Sequence, residues 1–285
     1  MSMNKMLSYT YIQDKYKDFI ENIGNDLCTG IVRDSKQVSK QCTPIWICWL
    51  QGLENAPNIV KCCVNSIVAN VEGEIHIITY NNYMEYVRID EVILEKHKLG
   101  IISRTHFSDI IRLALLCKYG GIWMDATLFM MDRGLPGYIY EISFFMYRLR
   151  ETVDSGYPDP RLFSNWFIKS EKGNPILRAV YRMHEEWWKS ENEIPYSMFH
   201  YVMRLVWDRY NNLCLGDTES LRLNIYGNNC QILIGMLNEE YDEMVWNMLR
   251  DESPLQKLSW KFDYKGESTF YGYIKEKYEK GFFAV

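Results

Sequence analysis

Two charged residues, Asp109 and Arg112, stand three positions apart in one of the most apolar stretches of the chain, Phe107 to Cys117. That spacing puts both on one face of a helix. On a solvated face they would be an ordinary ion pair. Here Phe107, Ile110, Ile111, Leu113, Leu115 and Leu116 predict a helix that is apolar nearly all round and therefore buried. A buried charge costs several kcal/mol unless it is paired and hydrogen-bonded. A carboxylate beside a guanidinium fork at the floor of a cleft also suits the vicinal hydroxyls of a sugar, because one accepts hydrogen bonds and the other donates them. Asp125-Ala126-Thr127 follows shortly after. Its aspartate reads either as a turn former or as a hard-oxygen ligand for Mn²⁺ or Mg²⁺ bridging to a diphosphate. Trp46 and Trp49 lie in an apolar run, and strand alternation separates their faces, so at most one is core. Trp49, nearer the end, is the better candidate to stack on a nucleobase. Ser253 to Lys261 gathers Lys257, Ser259, Trp260 and Lys261, locally a polar loop entering a strand.

The elements that must position these groups follow from the same pattern. Pro44 to Leu50 is a continuous apolar run of strand length, as expected for a buried parallel strand. Pro57 opens a helix to about Ala69, Glu74 to Tyr80 is a second strand, and a further helix covers Ile89 to Lys96. Gly120-Gly121 ends the buried helix, and Ile122 to Met124 forms a short strand with Asp125 at its carboxyl end. Strand and helix in alternation predict βαβ units, with ligands at the carboxyl ends of the strands. Residues 11–27 read as one amphipathic helix and Arg33 to Gln41 as a linker. Later elements are a strand at Ile142 to Tyr147, a loop at Asp154 to Pro160 and a strand at Asn165 to Lys169. A helix from Asn174-Pro175 to Lys189 follows, then helices at Ser197–Tyr210, Cys230–Leu237 and Glu240–Leu249. The expected organisation is an N-terminal helical extension, 1–43, and one α/β domain, 44–285, with a helical insertion at about 174–215.

Composition narrows the function classes. A chain of 285 residues buries about three quarters of its unfolded surface, which supports one substantial core. A net charge of −5, with 32 basic and 37 acidic residues and no long Lys/Arg run, argues against a dedicated nucleic-acid binder. The eight cysteines form no CxxC pair and the five histidines no HxxxH, so neither a disulfide framework nor a zinc site is expected. No signal-type segment or bilayer-length apolar run is visible, and the expected location is cytoplasmic, with reduced thiols.

Taken together, SDIIRLALLCKYGGIWMDATLF resembles the capsular polysaccharide synthesis family, which is related to the DXD-sugar-binding glycosyltransferases. PIWICWLQG, NWFIKSEKGNPI and SPLQKLSWK extend the likeness over roughly residues 40–265. The resemblance implies an α/β fold of the GT-A type (Rossmann-like, with helical additions) and retaining transfer of a hexose or N-acetylhexosamine from a nucleotide-sugar, foremost a UDP-sugar. The implied acceptor is a polyprenyl-diphosphate-linked oligosaccharide in capsular or surface polysaccharide biosynthesis, met at the inner membrane face, with peripheral membrane contact. By the same likeness Asp109 and Arg112 grip the donor sugar, Trp49 stacks on the base, and Trp123 lines the pocket. Asp125 is the first Asp of DXD, while Ser259 and Trp260 meet the diphosphate, with Lys257 or Lys261 adding positive charge. The second DXD position, normally the direct metal ligand, is Thr127; Mn²⁺ or Mg²⁺ held by Asp125 and Thr127 is still the expectation, with weakened affinity. Two rivals stand beside this reading: a catalytically silent sugar- or nucleotide-binding partner in a polysaccharide-assembly complex, and a Rossmann-type oxidoreductase. The latter is disfavoured because no GxGxxG follows the first strand.

Overall fold

A computed structural model describes residues 9–23, 39–149, 153–154, 157–158, 161–192, 195–213 and 227–280. Its centre is a five-stranded sheet of order β2-β1-β3-β8-β5. The strands are β1 (Pro44–Cys48), β2 (Glu74–Ile78), β3 (Gly121–Met124), β5 (Phe144–Arg148) and β8 (Phe163–Ser170). β1 runs parallel to both β2 and β3, with Trp46 opposite His76 on one side and Trp123 on the other. β8 pairs antiparallel with β3 and β5, so the sheet is mixed. A second, two-stranded sheet joins β4 (Leu128–Met130) to β9 (Leu255–Lys257), and β6 (Val153–Asp154) pairs antiparallel with β7 (Tyr157–Pro158).

Alternation along the central strands sends side chains into two separate cores, one on each face. Trp46, Trp123, Phe144, Met146 and Ile168 meet the helices α5 (Glu91–Lys98), α6 (Arg104–Tyr119), α8 (Pro175–Ser190) and α9 (Met198–Leu213). Ile45, Ile47, Ile122, Met124 and Phe167 meet α3 (Asn58–Asn70), α10 (Glu243–Glu252), α11 (Phe270–Tyr278) and the small sheet. The result is a three-layer α/β/α arrangement.

α6 is the element that matters most for the site. Ser103 caps it by accepting the His106 N–H, and nine of its residues from Phe107 to Leu116 are buried, Asp109 and Arg112 among them. Gly120 and Gly121 then turn the chain into β3 with φ of 72° and 96°. A Cβ on Gly121 would lie 2.3 Å from the Pro44 carbonyl oxygen, so the close approach of β3 to β1 itself requires glycine there.

The structure departs from the sequence expectations in several places. The single helix expected at 11–27 is two short ones, α1 (Tyr9–Lys15) and α2 (Lys17–Asn22), separated at Tyr16, whose hydroxyl donates to the Met183 carbonyl at 2.9 Å. Residues 24–27 and the linker up to residue 38 lie outside the described residues, as do 193–194, 214–226 and the last five positions. Cys230–Leu237 is a pair of 3₁₀ turns rather than an α-helix. Gln256 explains this: its Oε1 accepts the Ile232 and Leu233 N–H groups at 3.2 and 3.1 Å, which an α-helix would direct to its own carbonyls. The expected loop at Asp154–Pro160 contains the β6–β7 pairing. Three short elements, β4, the four-residue α4 (Tyr83–Tyr86) and the five-residue α7 (Gly137–Glu141), have no counterpart among the sequence expectations.

Candidate active site

The carboxyl ends of β1 and β3, the first turns of α6 and the segment after β9 enclose a cavity of about 560 Å³. This is the position where α/β sheets bind ligands, and the size suits a small-molecule site. Nine of the ten residues singled out by sequence line it: Trp49, Arg112, Trp123, Asp125, Thr127, Lys257, Ser259, Trp260 and Lys261.

Asp109 is the exception. It is 5% exposed, sits behind Arg112, and does not line the cavity. Its Oδ1 lies 3.0 Å from Arg112 Nη1 and accepts from Asn165 Nδ2 at 3.3 Å. Helical spacing put the pair on one face correctly. The long arginine side chain reaches the cavity from that face and the short aspartate cannot.

Arg112 bridges two carboxylates, since its Nη2 also donates to Asp125 Oδ1 at 3.1 Å. Its guanidinium lies 4.6 Å from the Trp123 ring centroid, a cation–π contact that fixes the plane of the fork. Yet Arg112 Nε and Nη1 have no hydrogen-bond acceptor, because the Nη1–Asp109 approach is close in charge but off the hydrogen-bond direction. Both nitrogens are buried, and Nη1 faces Asp109 behind the cavity wall, so they hold the guanidinium in place as part of an ion pair.

Asp125 is fully engaged. Oδ1 accepts from Arg112 and from Trp123 Nε1 at 2.9 Å, and Oδ2 from Lys257 Nζ at 2.9 Å. Burial pushes its carboxyl up, but Lys257, Arg112 and the indole together pull it below the usual carboxylate value. Lys257 also donates to Thr127 Oγ1, and the register explains why: β9 pairs with β4 so that Lys257 faces Leu128, and Leu258 N–H donates to the Thr127 carbonyl at 2.9 Å.

The expected Mn²⁺ or Mg²⁺ fails a test of fit here. Such ions take about six hard oxygen ligands. The pair Asp125 and Thr127 offers one carboxylate whose oxygens are both taken, one hydroxyl, and an ammonium between them. Among the described residues no cluster of three or more His, Cys, Asp or Glu could hold a metal ion.

At the cavity mouth, Trp49 and Trp260 meet edge to face with centroids 6.0 Å apart. Trp260, which the family resemblance places at the diphosphate, shares this aromatic corner with Trp49. Ser259 Oγ accepts the Lys261 N–H at 3.2 Å, which orders the bend that carries Lys261. The lining holds four cations, Arg104, Arg112, Lys257 and Lys261, against one carboxylate, Asp125. In a chain of net charge −5 this concentrates positive potential at one place. Burial pushes the lining Cys48 thiol up to about 12, which leaves it no thiolate character at neutral pH.

Sequence reasoning missed Arg104, Ser108 and Trp166 on the cavity wall. Arg104, Ser108 and Arg112 form an i, i+4, i+8 stripe on α6, and that spacing was the available signal. Trp166, stacked on Tyr147 at 4.9 Å, had none beyond its place in NWFIKSEKGNPI.

Two buried groups around Arg112 carry opposite pH signatures. Burial pushes Asp109 up to about 6 from 3.8, opposed by Arg112 and reinforced by the Asp125 charge. Burial pulls His184 down to about 4 from 6.5; its Nδ1–H donates to the Val180 carbonyl and its Nε2 has no partner. For Asp109 the folded chain takes the proton first, so its contribution to stability rises as pH falls from about 6 toward 3.8. For His184 the unfolded chain takes the proton first, so stability is lost as pH falls from 6.5 toward 4. Urea titrations at pH 7 and pH 5 should therefore separate them. Asp109→Asn should lose more stability than wild type between the two conditions, and His184→Gln should lose less. Equal losses in all three proteins would contradict both assignments.

A mixed α/β fold with a cation-lined cavity at its strand ends defines the class of molecule. The chain belongs to the capsular polysaccharide synthesis protein family, whose sequence profile matches residues 2–276. It is similar to the O-glycosyltransferase braB of Annulohypoxylon truncatum, with 22% identity over 179 residues, 56% of this chain and 41% of that protein. The chain thus spans about two fifths of the length of that curated relative. A solved structure titled PaToxG glycosyltransferase is similar at 14% identity and a TM-score of 0.41, over 75% of this chain and 82% of that one. No helix among the described residues is long and apolar enough to cross a membrane.

Proposed function

We propose that this chain is a glycosyltransferase of the GT-A type that takes a sugar from a nucleotide-sugar donor. The observation that carries the reading is the cavity itself: four cations around one neutralised carboxylate, and two indoles at the mouth. A nucleoside diphosphate sugar has the complementary parts, an anionic centre, a polyhydroxyl ring and a planar base. Membership of the capsular polysaccharide synthesis family supports a hexose or N-acetylhexosamine donor, UDP-linked, and a lipid-linked oligosaccharide acceptor.

In this reading Arg112 donates to the donor sugar hydroxyls, and Asp109 and Asn165 hold Arg112 from behind. Trp49 and Trp260 flank the base, and Lys257 and Lys261 meet the diphosphate. The bond from the anomeric carbon to the diphosphate oxygen breaks, and the electron pair leaves with the phosphate. The acceptor hydroxyl oxygen bonds to the same face of that carbon and passes its proton to the departing phosphate oxygen. Asp125 is the only carboxylate lining the cavity among the described residues, and its oxygens are occupied. This supports front-face retention over a covalent glycosyl-enzyme, which needs a free carboxylate.

The test is a screen of donor hydrolysis across UDP- and GDP-sugars, reading released nucleoside diphosphate. Release from at least one donor, lost in Asp125→Ala, is the expected result. Binding of a donor with no release would instead establish the silent-partner reading, which the Thr127 substitution favours.

A further inference from the structure

We infer that the Lys257 ammonium takes the place of the divalent cation in this site, so that donor cleavage proceeds without metal. The inference rests on the donor reading above and deepens it. In a two-aspartate motif the second carboxylate would hold a divalent cation, which would supply positive charge to the diphosphate. Here the second carboxylate is a hydroxyl, that of Thr127, which brings one negative charge fewer. A single positive charge suffices for what remains, and Lys257 supplies it with hydrogen bonds to both Asp125 Oδ2 and Thr127 Oγ1.

The ammonium is placed there by the fold. Antiparallel pairing of Leu128 with Lys257, locked by the Leu258 N–H to Thr127 carbonyl bond, fixes the Lys257 backbone beside the motif. The neighbouring Gln256 is fully buried and tied to the Asn229 carbonyl at 2.8 Å, so the strand cannot slide. The side chain of Lys257 is about one quarter exposed and lines the cavity, so its third N–H can face a ligand. When the sugar–phosphate bond breaks, negative charge grows on the departing diphosphate oxygen. An ammonium already fixed at that place meets the charge without rearrangement, as a metal would. Lys261, four residues on and exposed at the cavity edge, adds a second cation to the lining.

The experiment uses the full chain after treatment with EDTA. Mn²⁺ is titrated into the protein without nucleotide, and free Mn²⁺ is read by electron paramagnetic resonance. No depletion of the free-ion signal at protein concentrations near 100 μM is expected; stoichiometric depletion overturns the inference, whatever the nucleotide does. UDP and GDP binding and donor hydrolysis are then compared in EDTA and in Mn²⁺. Rates within about twofold are expected, and a tenfold stimulation by Mn²⁺ overturns the inference. Lys257→Met should lower the hydrolysis rate at least a hundredfold with no recovery in Mn²⁺, and Lys257→Arg, which keeps the charge, should regain part of it. A Met variant within threefold of wild type overturns the inference. Absence of nucleotide release or binding in every condition overturns the glycosyltransferase reading, whereas stoichiometric Mn²⁺ depletion overturns the lysine inference on its own.

Discussion

Arg112→Ala should both unfold readily and fail to turn over. Arg112 is 4% exposed and lies between two carboxylates, 3.0 Å from Asp109 and 3.1 Å from Asp125. Removing the cation leaves Asp109 buried with only Asn165 as a partner, and breaking a buried pair in this way costs about 3–5 kcal/mol. Loss of the Trp123 stack adds to that cost. Because stability and activity fall together, Ala alone cannot say whether the guanidinium touches the donor. Arg112→Lys separates the two effects. It keeps the charge but offers one nitrogen where two separate ones now reach Asp109 and Asp125, and it loses the planar fork. The expected outcome is a protein that melts within a few degrees of wild type. Its kcat for donor hydrolysis should nonetheless drop by about a hundredfold, because the planar fork proposed to grip the sugar is gone. A lysine variant that is stable and fully active would reduce Arg112 to a structural ion pair.

Much of this site was legible in the sequence, for a physical reason. Charges inside an apolar helix are costly, so Asp109 and Arg112 announce themselves against Ile110, Ile111 and Leu113 without any tertiary knowledge. Gly120-Gly121 and Asp125 follow from local turn geometry, and β1, β2 and α6 from patterns confined to one element. Features set by distant partners were not legible. β4 is three residues long and is a strand because β9, over a hundred positions later, pairs with it. The 3₁₀ turns after Gly227 take their form from the Gln256 side chain, and the break between α1 and α2 coincides with the Tyr16 hydrogen bond to α8. The role of Lys257 falls in the same category. Its identity was visible and its proximity to Asp125 was not, because a strand register outside the motif brings them together.

Asp125→Asn should be nearly as damaging as Asp125→Ala, although it preserves shape. The carboxylate accepts from three donors at once, Arg112 Nη2 and Trp123 Nε1 on one oxygen and Lys257 Nζ on the other. An amide has one accepting end. If its oxygen stays toward Arg112 and Trp123, its NH₂ confronts the Lys257 ammonium; if it flips, the NH₂ confronts the guanidinium and the indole. Either way a donor meets a donor, and two cations lose the anion that held them apart. Donor hydrolysis should fall by about a hundred- to a thousandfold, and the urea midpoint should drop as well. The double variant Asp125→Asn/Lys257→Met removes the opposing ammonium. It should recover stability relative to Asp125→Asn alone, because residues in contact do not contribute additively. It should recover no activity, since the cation proposed to meet the diphosphate is then absent. Activity restored together with stability would show that Lys257 only supports the fold around Asp125. Recovered stability without activity would place both residues in the chemistry.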